Sequence, residues 1–493
     1  MRVFMLGWEF PPFISGGLGT ACYGLTKAMS QQQTEVVFVL PKSVGSEYSS
    51  HVKLLSPQIP RAAVGDRSAP AVASTYQMPS PLSSPSRESA RQESNPITTG
   101  GVFGGQAFSN VIFKAVPSRM ISPYQSTGGE IHATTVSGTT PTWAGDPGMA
   151  PINILGNTGE SSSSRSSGST GGGNGGAPIA HYDGDLFVEA QRYAKLCVDL
   201  ARGEKFDVIH AHDWLTFPAG LAVASATGKP LVVHVHSTEF DRAGENIHQQ
   251  VYDIERRGMQ GAIRVICVSH LTGTIVKHRY GINPDKIDVV YNGIENGTAT
   301  AAQTSGLAPI RKGDKVVLFL GRITMQKGPE YFVRAARKVL EKYDKVKFVM
   351  AGSGDMAKSV IELAAAEGIG HKVLFTGFLR GTDVEKVFKM ADVYVMPSVS
   401  EPFGIAPLEA ISHDVPVIIS KTSGVAEVLQ HALKVDFWDV DEMANKIIAV
   451  LRHPPLSSTL REHADMEVRQ LTWDGAATKC TEVYTKAVRA MPR

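Results

Sequence analysis

The chain has 493 residues, a net charge of +2 and four scattered cysteines. That length exceeds one domain of roughly 100–200 residues, and the near-neutral charge offers no nucleic-acid-binding surface. Cys22, Cys197, Cys267 and Cys480 show no paired spacing, which argues against a disulfide framework or a cysteine zinc site and fits a reducing cytosol. No apolar run approaches the roughly 20 residues that cross a bilayer, and the opening Val3-Phe4-Met5-Leu6 lacks the regions of a signal peptide. A cytoplasmic protein is expected, with no nucleic-acid partner and no stable membrane span.

In chain order, Arg2–Leu6 reads as a strand, Ser15–Gly19 as a Gly-rich loop, Thr20–Ser30 as a helix and Glu35–Leu40 as a strand. This βαβ start implies a parallel sheet. Residues 57–178 break the pattern with Pro, Ser, Gly and Thr. That composition buries too little apolar surface to offset its ordering entropy, so a partly ordered insertion with a disordered linker at 157–177 is expected. Within it Ala107–Val116 looks like a strand or hairpin arm. Regular structure resumes with a helix from Asp185, then strands Asp207–His210, Pro230–His236, Val265–Ser269 and Ile287–Val290. Helices are expected at Ile247–Gly261 and from Leu271. Residues 295–313 read as a linker. A second α/β run follows with strands Val316–Leu320, Lys347–Met350, Val373–Phe375, Val393–Met396 and Val415–Ile419, and a last helix at Trp473–Ala490. Two successive βα runs predict two Rossmann-like domains facing a cleft.

The richest block is Ser400-Glu401-Pro402-Phe403-Gly404-Ile405-Ala406-Pro407-Leu408-Glu409. It follows a buried strand and opens a helix, so the free amides of Gly404, Ile405 and Ala406 can face a phosphate. Glu401, in the loop, can bond a sugar hydroxyl, and Glu409, a turn into the helix, can reach a ribose diol. Spacing alone also allows a helix cap with a solvated glutamate. Gly321-Arg322-Ile323-Thr324-Met325-Gln326-Lys327-Gly328 directly follows another strand. A departing nucleoside diphosphate gains negative charge in the transition state and needs cations such as Arg322 and Lys327. Two solvated surface cations are the alternative. Gly16 and Gly17 let backbone approach a ligand or simply make a turn. His210-Ala211-His212-Asp213-Trp214 ends a strand, as does the polar run His236–Arg242; a strand-end histidine is equally a packed group. Gly352 and Gly377 each follow a strand. Asp183-Gly184-Asp185 sits at a helix start, where Asp caps, and no metal is predicted.

Taken in order, these blocks resemble those of family-4 retaining glycosyltransferases of the GT-B fold, and in particular the glycogen- and starch-synthase-like α-glucosyltransferases. Glu401 and Glu409 match the E-x7-E block, Arg322 and Lys327 the phosphate site, Gly16-Gly17-Leu18 the Lys-x-Gly-Gly-Leu motif, and His210–Trp214 the His-x-His-Asp-Trp segment. Ile14 replaces the lysine of the third motif.

The resemblance implies an α/β GT-B chain: an N-terminal acceptor domain (1–294) carrying the 57–178 insertion, a nucleotide-sugar domain (295–470), and a helix (471–493) crossing back. It implies a retaining hexosyltransferase with His212, Arg322, Lys327 and Glu401 as catalytic groups. Gly16, Gly17, Gly352, Gly377, Gly404, Ile405, Ala406 and Glu409 would bind the donor. No cofactor is expected beyond the donor substrate, UDP-glucose or ADP-glucose, and the acceptor would be a glucan or another carbohydrate. Bacterial ADP-glucose synthases carry Tyr where Glu409 stands, which tilts the donor to UDP-glucose. The alternatives are a hexosyltransferase acting on a lipid or small sugar, and a non-catalytic carbohydrate-binding scaffold. A hydrolase would need two carboxylates astride the scissile bond, and no pyridoxal-phosphate lysine motif of a phosphorylase is found. Lys327→Ala is expected to lower kcat with little loss of fold stability.

Overall fold

The computed structural model describes residues 1–10, 17–41, 111–115, 184–295 and 313–491. Two all-parallel sheets organise them. The first contains β1 (Arg2–Leu6), β2 (Glu35–Leu40), β3 (Val111–Ala115), β4 (Val208–His212), β5 (Leu231–Val235), β6 (Arg264–Cys267) and β7 (Ile287–Val289), in the order β3-β2-β1-β4-β5-β6-β7. The second contains β8 (Lys315–Leu320), β9 (Val346–Ala351), β10 (Val373–Gly377), β11 (Val393–Met396), β12 (Val417–Ser420) and β13 (Leu433–Val435), in the order β10-β9-β8-β11-β12-β13. Each order reverses beside its first strand, at β1/β4 and at β8/β11. Such a reversal opens a crevice at the carboxyl ends of the strands, where open α/β sheets bind ligands.

Alternation along the strands explains the layers. Phe4 and Leu6 face one core, with Tyr193 and Ala194 of the helix Gly184–Arg202 and Phe217 and Val223 of the helix Phe217–Thr227. Val3 and Met5 face the other, with Leu25 and Met29 of the helix Gly17–Gln31 and Ala477, Cys480 and Tyr484 of the last helix, Trp473–Arg489. The second sheet is likewise covered on both faces. Near-continuous Val, Ile and Phe in these strands is the signature of a sheet buried on both sides.

The chain's two crossings meet. Ile294, leaving the first domain, forms a parallel bridge with Thr472, and its N–H donates to the carbonyl of Leu471 at 2.9 Å. The last helix then lies on the first domain. Lys486 Nζ pairs with Asp288 of β7 at 2.9 Å, and the Trp473 ring lies against Gly24, where an added Cβ would stand 2.2 Å from the indole.

The island expected at 107–116 contains β3, which pairs parallel with β2 (Val36 with Val111 through Leu40 with Ala115) and so is no hairpin arm. The helix expected from Ile247 begins at Gln249, and the helix expected from Asp185 begins at Gly184. Strand β4 runs two residues past His210, to His212. Edge strand β13 was not anticipated: Leu-Lys-Val is too short to show a period. The disordered-linker segment 157–177 and most of the 295–313 linker lie outside the described residues.

Candidate active site

The carboxyl ends of β8 and β11 form the charged half of the site. After β8 the chain makes a short 3-10 turn, Met325–Lys327, then enters the helix Pro329–Leu340 through Gly328. After β11 it runs through Pro397–Gly404 into the helix Ile405–Ser412. The two loops are laced together: the Val399 N–H donates to the Gln326 carbonyl at 2.9 Å. Gly328 must be glycine, because its φ is 61° and a Cβ would sit 2.2 Å from the Pro397 carbonyl oxygen.

This lacing brings Lys327 and Glu401, 74 residues apart, into a hydrogen-bonded ion pair. Glu401 is buried, and Ser398 Oγ donates to the same carboxylate oxygen at 3.2 Å. Arg322 Nη2 lies 3.5 Å from Gln326 Oε1. Glu409 is half-buried on the helix Ile405–Ser412, and burial pushes its carboxyl up to about 7. The field of both glutamates raises the buried Tyr394 phenol beside them, after burial itself. Gly404 precedes the helix at φ 103°, so the amides of Ile405 and Ala406 are in its first turn, without intrahelical acceptors.

Gly352 packs against Gly321, where a Cβ would meet the Gly321 carbonyl at 1.8 Å. Its N–H donates to the carbonyl of Gly377 at 2.9 Å. These glycines therefore seat the loops after β8, β9 and β10 against each other. Gly377 itself is exposed.

The first domain supplies the opposite side. Gly17 opens the helix Gly17–Gln31 and is exposed, whereas Gly16, Ile14 and Asp183 lie outside the described residues. His212 ends β4 fully buried; its Nδ1 is 2.9 Å from Nε2 of His236, the more exposed of the two. Burial, reinforced by neighbouring imidazoles, holds His212 well below the usual imidazole range, and burial alone lowers His236 to about 3. Asp213, at φ 57°, turns the chain after β4 and accepts the His236 N–H at 2.7 Å. Burial raises its carboxyl to about 7.

The two halves touch. Asp241 Oδ1 accepts from Ser400 Oγ at 2.6 Å, and Ser269 Oγ donates to the Pro402 carbonyl at 2.5 Å. The Glu427 carboxylate receives the N–H groups of His270 and Leu271 at 2.9 and 2.7 Å, capping the helix His270–Tyr280 from the other domain. Behind Asp241, Arg242 pairs with buried Glu239 at 3.1 Å and with Glu255 at 2.5 Å, while Tyr280 donates to Glu255. The polar density of His236–Arg242 signalled this corner. Nothing local signalled Glu427, whose partners His270 and Leu271 come from the other domain, and Ser398, three residues before Glu401, was missed although its partner is local.

Residues 306–466 match the family model for glycosyl transferases group 1, 181–296 that for glycosyltransferase family 4, and 2–74 that for the starch synthase catalytic domain. An uncharacterised glycosyltransferase of Methanocaldococcus jannaschii is 33% identical over 308 residues, covering 59% of this chain and 78% of the relative. The chain belongs to the family-4-type glycosyltransferases. A glycogen synthase of Mycobacterium tuberculosis is 27% identical over 60% of this glycosyltransferase and 72% of its own length. Among solved structures, a sucrose-phosphate synthase of Thermosynechococcus elongatus aligns over 99% of this chain and 100% of its own with a TM-score of 0.63 at 16% identity. A glycosyltransferase of Rickettsia africae aligns over 99% of both chains with a TM-score of 0.59 at 13% identity. These likenesses fix the fold as GT-B. No helix among the described residues is long and apolar enough to cross a membrane.

Proposed function

We propose that this glycosyltransferase is a retaining enzyme that transfers glucose from UDP-glucose to an α-1,4-glucan. The observation that carries the reading is the Lys327–Glu401 pair at the β8/β11 switch point, with Arg322 on the loop after β8 and Glu409 on the helix that follows the β11 loop. Without donor, the cation and the carboxylate neutralise each other. A bound donor exchanges both partners: its diphosphate takes Lys327 and Arg322, and its sugar hydroxyls take Glu401. Glu409 accepts the ribose diol, and the Ile405 and Ala406 amides add contacts to the phosphates.

In the transfer step the bond between the anomeric carbon and the diphosphate oxygen breaks and the electron pair leaves with the phosphate. The acceptor hydroxyl oxygen attacks the same face, and its proton passes to the departing diphosphate. Lys327 and Arg322 are fixed where that charge develops, the arrangement that lowers a barrier most. His236 is the more exposed of the two imidazoles and is hydrogen-bonded to buried His212, which supports giving His236 the contact with the donor sugar and His212 the orienting of its neighbour. The transfer itself uses no metal.

The Mycobacterium relative's name, the starch synthase match to residues 2–74 and the Glu409 argument support the glucan and UDP choices. A second reading, a small-sugar acceptor, is favoured by a D-inositol 3-phosphate glycosyltransferase of Corynebacterium diphtheriae, 27% identical over 57% of this chain and 71% of its own. The test is a donor panel of UDP-, ADP- and GDP-sugars with glycogen, malto-oligosaccharides or inositol phosphate, following diphosphate release and acceptor extension without added metal. Glucan extension from UDP-glucose is expected. Extension of inositol phosphate alone would replace the acceptor, and binding without turnover of any donor would leave a scaffold.

A further inference from the structure

Strand β4 carries His210 and His212 two residues apart, so both project from one face. The register of β5 sets His234 opposite His212, and His236 follows it. The four rings stack with centroids 4.1–5.3 Å apart. This is the face that otherwise packs Val3, Met5, Val208 and Val232 under the last helix. His210, His212 and His234 are buried there. Only two of their six ring nitrogens have partners: His210 Nδ1, 2.6 Å from the Tyr484 hydroxyl, and His212 Nδ1, 2.9 Å from His236. His210 Nε2, His212 Nε2 and both nitrogens of His234 are buried without a hydrogen bond. Buried polar atoms left in that state call for a specific explanation, a bound ion among them.

One nitrogen from each of these three histidines lies within 4.8 Å of one from each of the others. We propose that His210, His212 and His234 form a binding site for a borderline divalent transition-metal ion of the zinc type. The chemistry of the set selects that class: three imidazoles suit zinc, cobalt, nickel or copper, whereas calcium and magnesium need oxygen ligands.

The hydrogen bonds orient the ligands. The Tyr484 hydroxyl lies 2.6 Å from His210 Nδ1 and 3.9 Å from Met29 Sδ; in the tautomer that binds metal, His210 Nδ1–H donates to the phenol oxygen and Nε2 carries the lone pair. In the matching tautomer of His212, Nδ1–H donates to His236 Nε2, 2.9 Å away, and leaves the same lone pair on His212 Nε2. A metal-bound imidazole held through its other nitrogen is the usual outer-shell arrangement. Nitrogens on one zinc at about 2.0–2.1 Å lie roughly 3.3 Å apart, so loading turns the rings out of their stack until their in-plane lone pairs converge, and three imidazoles leave the fourth position to water. The ion would tie β4 to β5 and, through Tyr484, to the last helix. It would fix the His212 ring behind His236 and take no part in transfer.

The test uses the full chain stripped of metal. Titration with Co²⁺ and then Zn²⁺ is expected to give one visible-absorbing site per chain that zinc displaces, and a rise in unfolding temperature. Zinc-edge X-ray absorption on the wild type should count three imidazole nitrogens at about 2.0–2.1 Å. His234→Gln should weaken binding at least a hundredfold and Tyr484→Phe about tenfold, the scale of losing a supporting hydrogen bond. The exposed, stacked pair His431 and His463 is the competing site, so His431→Ala should bind as the wild type does. No stoichiometric binding, fewer than three imidazoles, or a signal lost in His431→Ala would each overturn the proposal. Should His234→Gln fail to fold, the ligand count on the wild type decides.

Discussion

On the second domain's side of the site, Arg322, Lys327, Glu401 and Glu409 bring charge to the ends of β8 and β11, and the strongest contact there is between two of the site's own groups, Lys327 and Glu401. On the first domain's side, β4 and β5 end in stacked imidazoles that burial keeps below their ordinary range. The first arrangement pairs its own groups, so in the proposed mechanism a ligand enters it by exchanging partners. The second holds nitrogens with no partner at all. The charged half is therefore held in shape before the donor arrives, while the neutral half keeps unused bonding capacity. Substitutions in the two halves should fail differently: by rate in the second domain, by packing or ligand occupancy in the first.

The sharpest test of that contrast is Lys327→Ala. Loss of one preorganised charge donor should cost about 10²–10³ in kcat, and an unchanged rate in a donor assay would remove this lysine from the mechanism. The expectation of little stability loss is revised by the structure. The substitution strands the buried Glu401 carboxylate, which is 9% exposed beside a lysine 21% exposed. Breaking such a partly screened pair should cost about 1–2 kcal/mol. Lys327→Ala with Glu401→Gln should recover most of that stability and none of the rate. Recovery of rate would show the pair to be structural.

The parallel strands were legible because Val-Phe-Met-Leu, Val-Val-Phe-Val and Val-Tyr-Val-Met are runs buried on both faces. The loops at their ends were legible because Gly and Pro mark strand-to-helix turns. Arg322, Lys327, Glu401 and Glu409 stand out in the sequence as two separate blocks after two strands; that the blocks are neighbours follows from β8 pairing with β11. What lay beyond the sequence depends on long-range register. Lys327 meeting Glu401 needs the Val399–Gln326 lacing, and the histidine stack needs His212 opposite His234. By sequence the strand ends at His210, whereas β4 runs on to His212 and sets it beside His236, a pairing that only the register of β4 with β5 creates.

A second contrast concerns what each domain is made of. The second sheet is closed by the segment 313–468, whereas the first borrows the helix Trp473–Arg489 from the far end of the chain. Gly24→Ala places a methyl against the Trp473 ring with 2.2 Å of room. Overpacking of this kind costs about 1–3 kcal/mol. The first domain should melt earlier, with faster proteolysis between the residue 468 helix end and Trp473, while donor binding by the second domain persists. A uniform shift of both domains would show that they unfold as one unit and that the borrowed helix couples them.

The smallest effect separates the halves by pH. The Glu409 carboxyl is raised by burial to about 7 from an ordinary value near 4.5. The folded state therefore holds a proton that the unfolded chain releases earlier. This contribution to stability is fully present below about 4.5 and is lost as pH rises through about 7. Wild type should lose stability over that window, and Glu409→Gln should lose less, as read by thermal unfolding from pH 5 to 8. Donor binding should show the opposite slope, because a ribose diol donates best to the ionised carboxylate. The protection that UDP-glucose gives against unfolding should grow as pH passes 7 in the wild type and stay flat in Glu409→Gln. A flat profile in both would remove Glu409 from the ribose and leave it as a buried acid of the helix Ile405–Ser412.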